Sequence, residues 1–229
     1  MDFESFVLAA ATADLGDEPA AREHADAVEF RLDLATDPLA ALADYDGTLP
    51  LIVTNRAAFE GGEAADDAAR LDALCTAVEH PKVEAVDVEL TTASDGDGGR
   101  VIDHARDHGA AVIVSTHDFA KTPEPPKLRQ LLDRACEYGD VGKLAVTARS
   151  TDDVLELLAA TRASVAGGDR VATMAMGEPG RHSRAVAPLY GSKIGYAPVD
   201  PADATAPGQY DLATLRRLVS ELESKPTED

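Results

Sequence analysis

The chain is predicted to fold as a single-domain (β/α)8 TIM barrel of the α/β class. Eight β-like runs alternate with helical patterns across 229 residues, a length that suits one such barrel. No linker, low-complexity break or second domain interrupts residues 1–229. No GxGxxG follows the first run and no GxxxxGK(S/T) occurs anywhere, so nucleotide-binding α/β folds lose their usual support.

Taken in order, the first strand is Phe6-Val7-Leu8-Ala9-Ala10-Ala11, followed by a helix through Pro19 to Ala25. The second runs from Ala27 to Asp33, and Pro38 starts the short helix after it, because proline's fixed φ suits a first helical turn. The third is Leu49 to Arg56. Past the Gly61-Gly62 break an amphipathic helix is expected from about Glu63 to Val78, with Leu71, Leu74, Cys75 and Val78 on one face. The fourth strand is Ala85 to Leu90, with a helix around Arg100 to His108. The fifth is Ala110 to Asp118, and its helix starts near Pro125-Pro126. The sixth spans Asp140 to Ala148 and precedes a helix from Asp152 to Ala166. The seventh is Arg170 to Met176, with a helix from about Ser183 to Tyr190. The eighth is Lys193 to Pro198; Asp211 to Leu222 closes the fold, and residues 224–229 are expected to be a frayed polar tail.

Lys and Arg total 21 against 42 Asp and Glu, a net charge of −21. Such a field repels phosphate backbones and anionic lipid, which argues against nucleic-acid and membrane-surface roles. The acid recurs along the chain, as in Glu63-Ala64-Ala65-Asp66-Asp67 and Asp95-Gly96-Asp97. A solvated acidic skin over an ordinary core fits a high-salt cytoplasm, where screening weakens self-repulsion. Cys75 and Cys136 share no CxxC spacing and are read as reduced thiols. The acidic start, Met1-Asp2-Phe3-Glu4, is unlike a signal peptide, and no apolar run reaches membrane-span length. A cytoplasmic protein is the expectation.

Catalytic groups of such barrels come from the C-terminal strand ends and the loops after them. Here those places hold Glu29 and Arg31, Arg56 and Glu60, His117-Asp118, Ser183-Arg184, Thr205 and Gln209. Lys143 lies inside the apolar sixth run, where an unpaired ammonium is costly. Burial and nearby arginines both lower a lysine's pKa, and a neutral amine can form a Schiff base with a ketone. The other reading of that lysine is a snorkelling surface residue. Lys, His and several Arg together suit a substrate carrying a ketone and a carboxylate. No metal site is indicated: Asp87 and Glu89 lack histidine partners, and His24, His80, His104 and His108 fall on helices or their ends.

These segments resemble the type I 3-dehydroquinate dehydratase family. Glu29-Phe30-Arg31-Leu32-Asp33 is similar to its E-(W/F)-R-x-D strand, and Arg56 to Gly62 to its R-x-x-x-E-G-G segment. Ser115 to Pro123 resembles S-x-H-D-F-x-x-T-P, and Lys143-Leu144-Ala145-Val146 resembles K-(I/L)-A-V. Thr173 to Gly177 with Gly180 and Ser183-Arg184 resembles T-M-x-M…G-x-x-S-R, and Ala206 to Gln209 resembles A-P-G-Q.

The resemblance implies a shikimate-pathway lyase of aromatic amino acid biosynthesis that turns 3-dehydroquinate into 3-dehydroshikimate and water, without cofactor or metal. It implies that Lys143 forms the Schiff base, that His117 is the general acid and base, and that Glu60 orients His117 and favours its charged form. Glu29, Arg31, Arg56, Arg184, Thr205 and Gln209 would hold substrate, and a homodimer is expected. Ala9 departs from a serine common in relatives, and Thr205 replaces another. The rival readings are a class I Schiff-base aldolase, which lacks its phosphate cradle here, and a catalytically silent binding barrel.

Overall fold

Parallel strands covered on both faces need nearly continuous apolar sequence, and the eight runs supply it. The computed structural model describes residues 1–64, 67–200, 202 and 206–224. The strands are β1 (Val7–Thr12), β2 (Ala27–Arg31), β3 (Leu51–Thr54), β4 (Val83–Glu89), β5 (Ala111–Asp118), β6 (Val141–Thr147), β7 (Val171–Met176) and β8 (Ile194–Pro198). They pair in parallel in the order β7-β6-β5-β4-β3-β2-β1-β8. The ring is drawn together between β7 and β8, where Lys193 N–H donates to the Val171 carbonyl at 2.7 Å. Thr173 N–H donates to Ser192 Oγ at 3.0 Å beside it.

The helices are α1 (Glu18–Ala21), α2 (Pro38–Ala43), α3 (Asp67–Val78), α4 (Leu90–Ser94), α5 (Gly99–Asp107), α6 (Pro125–Tyr138), α7 (Thr151–Gly167), α8 (Ser183–Val186) and α9 (Leu212–Glu223). Helix α7 starts on a capping box between Ser150 and Asp153 and stops at Gly168, whose φ of 100° is left-handed. Successive strand residues face opposite ways. One set, including Val28, Phe30, Val53, Val86 and Val112, packs with Leu71 and Leu74 of α3 and Val101 of α5. The other set fills the barrel with Val7, Ala9, Ile52, Ile113, Val141 and Ile194. Phe3 joins this inner cluster, 1 % exposed, held by a left-handed backbone turn.

Three expectations shift. The fourth strand begins at Val83 and ends at Glu89, since Leu90 opens the unanticipated helix α4. The helix expected over 19–25 is a four-residue α1, and the one over 183–190 is α8 followed by a 3₁₀ turn, Ala187–Tyr190. Of the expected tail, 225–229 lie outside the described residues. Cys75 and Cys136 are free. Among the described residues no helix is long and apolar enough to cross a membrane.

Candidate active site

The barrel's polar side chains meet in one cleft with about 540 Å³ of free space, lined by Glu29, Arg31, Arg56, Glu60, His117, Lys143, Arg184 and Gln209. Gly61, Phe119, Ala145, Met174, Met176, Tyr196 and Ala206 complete its walls. Asp118 and Ser183 do not line it and instead accept backbone N–H groups, from Ala120 and Lys121 and from Ala175; Thr205 lies outside the described residues.

Lys143 is the third residue of β6, and its side chain is 5 % exposed, so it does not snorkel. Its Nζ donates to Asp87 Oδ2 at 2.9 Å, lies 3.9 Å from Glu29 Oε1 and sits 4.1 Å over the Tyr196 ring. The first charged neighbour of the amine is therefore a carboxylate, where the sequence suggested arginines. Burial alone would raise Asp87, but the Arg56 and Lys143 charges win and hold it far below the usual carboxylate range. Asp87 stays an anion. Glu29 accepts a hydrogen bond from Thr54 Oγ1 at 2.9 Å.

Arg56, two residues past the end of β3, is almost wholly engaged by the protein. It donates to Asp87 Oδ1 at 2.7 Å, to Glu89 Oε1 at 3.1 Å and to Ser115 Oγ at 2.7 Å. Burial opposes its charge, yet Asp87, Glu89 and Glu60 push its pKa upward. Arg70 of α3 donates to the other oxygen of Glu89 at 2.7 Å. A buried row of alternating charge thus runs Arg70, Glu89, Arg56, Asp87, Lys143. Alternation within β4 puts Asp87 and Glu89 on the same inward face, which is the signal that could have found them.

His117 Nδ1 lies 2.8 Å from Glu60 Oε2, and the Phe119 ring stacks on the imidazole, 6.0 Å between centroids. Burial first, then the Arg56 and Lys143 charges, pulls His117 well below its ordinary pKa. Burial pushes Glu60 up to about 8, although Arg56 pulls the other way. Both shifts oppose charge, and the neutral imidazole is the form that can act as a base. Arg31 forks onto Asp33 at 2.9 and 2.6 Å.

Arg184, the second residue of α8, is different. It is buried, its Nε has no partner, and its Nη2 makes a long, 3.4 Å donation to the Pro207 carbonyl. Burial lowers its pKa to about 10. The loop bearing Gln209 folds close by: Gly177 N–H donates to Pro207 O at 3.2 Å, and Gln209 Oε1 accepts from Ala206 N–H at 3.2 Å. A left-handed Gly208, φ 77°, permits this, because a Cβ there would meet Gly177 O at 2.6 Å. The cleft thus brings together a buried amine beside a carboxylate held ionised, an imidazole whose charging is disfavoured and a buried guanidinium with an unpartnered Nε.

The family described as "Type I 3-dehydroquinase" matches residues 8–226. A 3-dehydroquinate dehydratase from the halophilic archaeon Haloarcula marismortui is 65 % identical over 227 residues, 98 % of this chain and 99 % of that protein. The crystal structure of 3-dehydroquinate dehydratase from Geobacillus kaustophilus superposes with a TM-score of 0.86 at 25 % identity, covering 97 % of this chain and 93 % of that one. The type I enzyme from Clostridium difficile, solved with covalent modified comenic acid, gives 0.83 at 26 % identity, covering 95 % and 92 %.

Proposed function

The chain belongs to the type I 3-dehydroquinase family, and from that premise we propose that it dehydrates 3-dehydroquinate to 3-dehydroshikimate through a Schiff base on Lys143. The observation that carries this reading is Arg184: a buried guanidinium whose Nε is unpartnered, on the wall of the cleft that holds Lys143 and His117. Such a cation suits a substrate carboxylate. The ring it anchors then presents its ketone to the amine.

Neutral His117 accepts a proton from Lys143, since Asp87 is too acidic to do so. The freed amine adds to the C3 ketone, and the carbinolamine loses water to become an iminium. The new cation occupies the place of the ammonium against Asp87, so the anion is already aimed at the charge that forms. A protonated imine is a far better electron sink than a ketone, and the C2 proton becomes acidic enough for His117 to remove. The resulting enamine expels the C1 hydroxyl, which takes a proton from His117 and leaves as water. A second water hydrolyses the iminium and frees Lys143. One water enters and two leave, a net single dehydration.

Borohydride added with 3-dehydroquinate is expected to leave a reduced adduct on Lys143, detectable by mass spectrometry, and Lys143→Ala to abolish it. An unmodified Lys143 in protein that also forms no enone product would overturn the proposal. His117→Ala should still trap some adduct while turnover falls by about 10²–10⁴-fold, the usual share of general acid–base catalysis.

A further inference from the structure

On the outer layer of the barrel, away from the cleft, α5 presents two histidines one turn apart. His104 lies in its last turn and His108 at its C-terminal cap. Residues four apart share one helix face, and the ring centroids are 4.3 Å apart. Glu79, the residue after α3, approaches from the neighbouring helix, with Oε1 3.1 Å from His104 Nε2. One donor atom from each of the three lies within 4.8 Å of the others. We propose that Glu79, His104 and His108 form a surface site for a divalent transition ion of the zinc class, clipping the end of α3 to the end of α5.

Hydrogen bonding assigns the tautomer of one ligand. His108 Nδ1 lies 2.9 Å from the His104 carbonyl oxygen, which can only accept. Neutral His108 therefore carries its proton on Nδ1 and presents a bare Nε2 lone pair. Metal-bound histidines commonly donate their second N–H to a backbone carbonyl in this way. Without metal, His104 Nε2 donates to Glu79; an ion at that point replaces the proton, which is released. Tetrahedral zinc with bonds of about 2.0–2.1 Å sets its ligand atoms about 3.3 Å apart, so the His104–Glu79 spacing already fits. Small rotations bring His108 in. Glu79 and His108 are exposed, which leaves the outer coordination positions to water. Two imidazoles with one carboxylate favour zinc, nickel or copper over magnesium or calcium.

Titrating zinc chloride calorimetrically into the full chain at constant ionic strength should reveal one site of micromolar affinity. The variant carrying His104→Ala and His108→Ala should bind at least tenfold more weakly. At a hundredfold excess over Kd, zinc should raise the thermal midpoint by about 5–10 °C in the parent protein and not in the variant. Equal zinc affinity in the two proteins would mean that the acidic skin holds the ion nonspecifically and would overturn the site.

Discussion

Arg56 and Arg184 are both buried on the wall of one cleft, yet their surroundings differ. Arg56 is gripped by two carboxylates and a hydroxyl, and its pKa rises. Arg184 has a long bond to a carbonyl, an Nε without partner and a pKa lowered to about 10. A cation whose charge is answered within the fold is framework. One buried without an answering charge costs stability, and that cost is understandable where a ligand supplies the anion. The β2–β5 side of the cleft therefore holds Lys143 in place, while the role proposed for the β7–β8 side is to bind the substrate's anion.

The largest effect should come from breaking the framework side. Arg56→Leu leaves Asp87 and Glu89 as buried anions short of a partner, and is expected to cost about 3–5 kcal/mol of folding stability, read as a fall in the thermal midpoint together with lost activity. Arg184→Met should do the reverse: the midpoint holds or rises, while KM climbs about 30–150-fold, the worth of about 2–3 kcal/mol of charge-assisted hydrogen bonding. A midpoint drop in Arg184→Met matching that in Arg56→Leu would erase the distinction between the two sides.

A smaller effect concerns pH. Glu60, near pKa 8, must lose its proton before His117 can point Nδ1–H at it and leave Nε2 free as a base. kcat/KM should therefore rise with pH through about 8. Glu60→Gln should flatten that rise and lower the plateau about tenfold. Because the folded value lies above the ordinary 4.5, this group's stabilising contribution is full below 4.5 and is lost as pH climbs toward 8. His117 works oppositely, contributing above 6.5 and losing that contribution as pH falls toward its lowered value. Midpoints measured across this range for the parent and Glu60→Gln separate the two. Least is expected of Gly61→Ala. Its φ of 79° and a Cβ only 2.6 Å from the Phe119 ring should cost about 1 kcal/mol and slow turnover a few-fold by shifting the ring stacked on His117.

The barrel was legible because strand and helix periods alternate without interruption, and Lys143 because an ammonium stands out in an apolar strand. Helix α4 was not: Leu90-Thr91-Thr92-Ala93-Ser94 contains weak helix formers in a single turn and a half, so Leu90 read as the strand's last residue. Asp87 was seen but not understood. Its importance comes from lying 2.9 Å from Lys143 and 2.7 Å from Arg56, residues distant in sequence and joined only by the ring's register. Tyr196 is visible only as an aromatic in the eighth strand until the barrel curls it under the amine. The opposed shifts of His117 and Glu60 likewise depend on burial, which follows from closing the ring.

Phe3 has a consequence at the opposite end. Sealed in with Val7, Val141 and Ile194, it closes the interior of the barrel at the end where the strands begin. On the proposed Schiff-base route, the waters shed and taken up at Lys143 and the product itself would then exchange through the opposite mouth of the barrel. In that proposal their order of passage matters, because a product standing in the mouth delays the very water needed to release it.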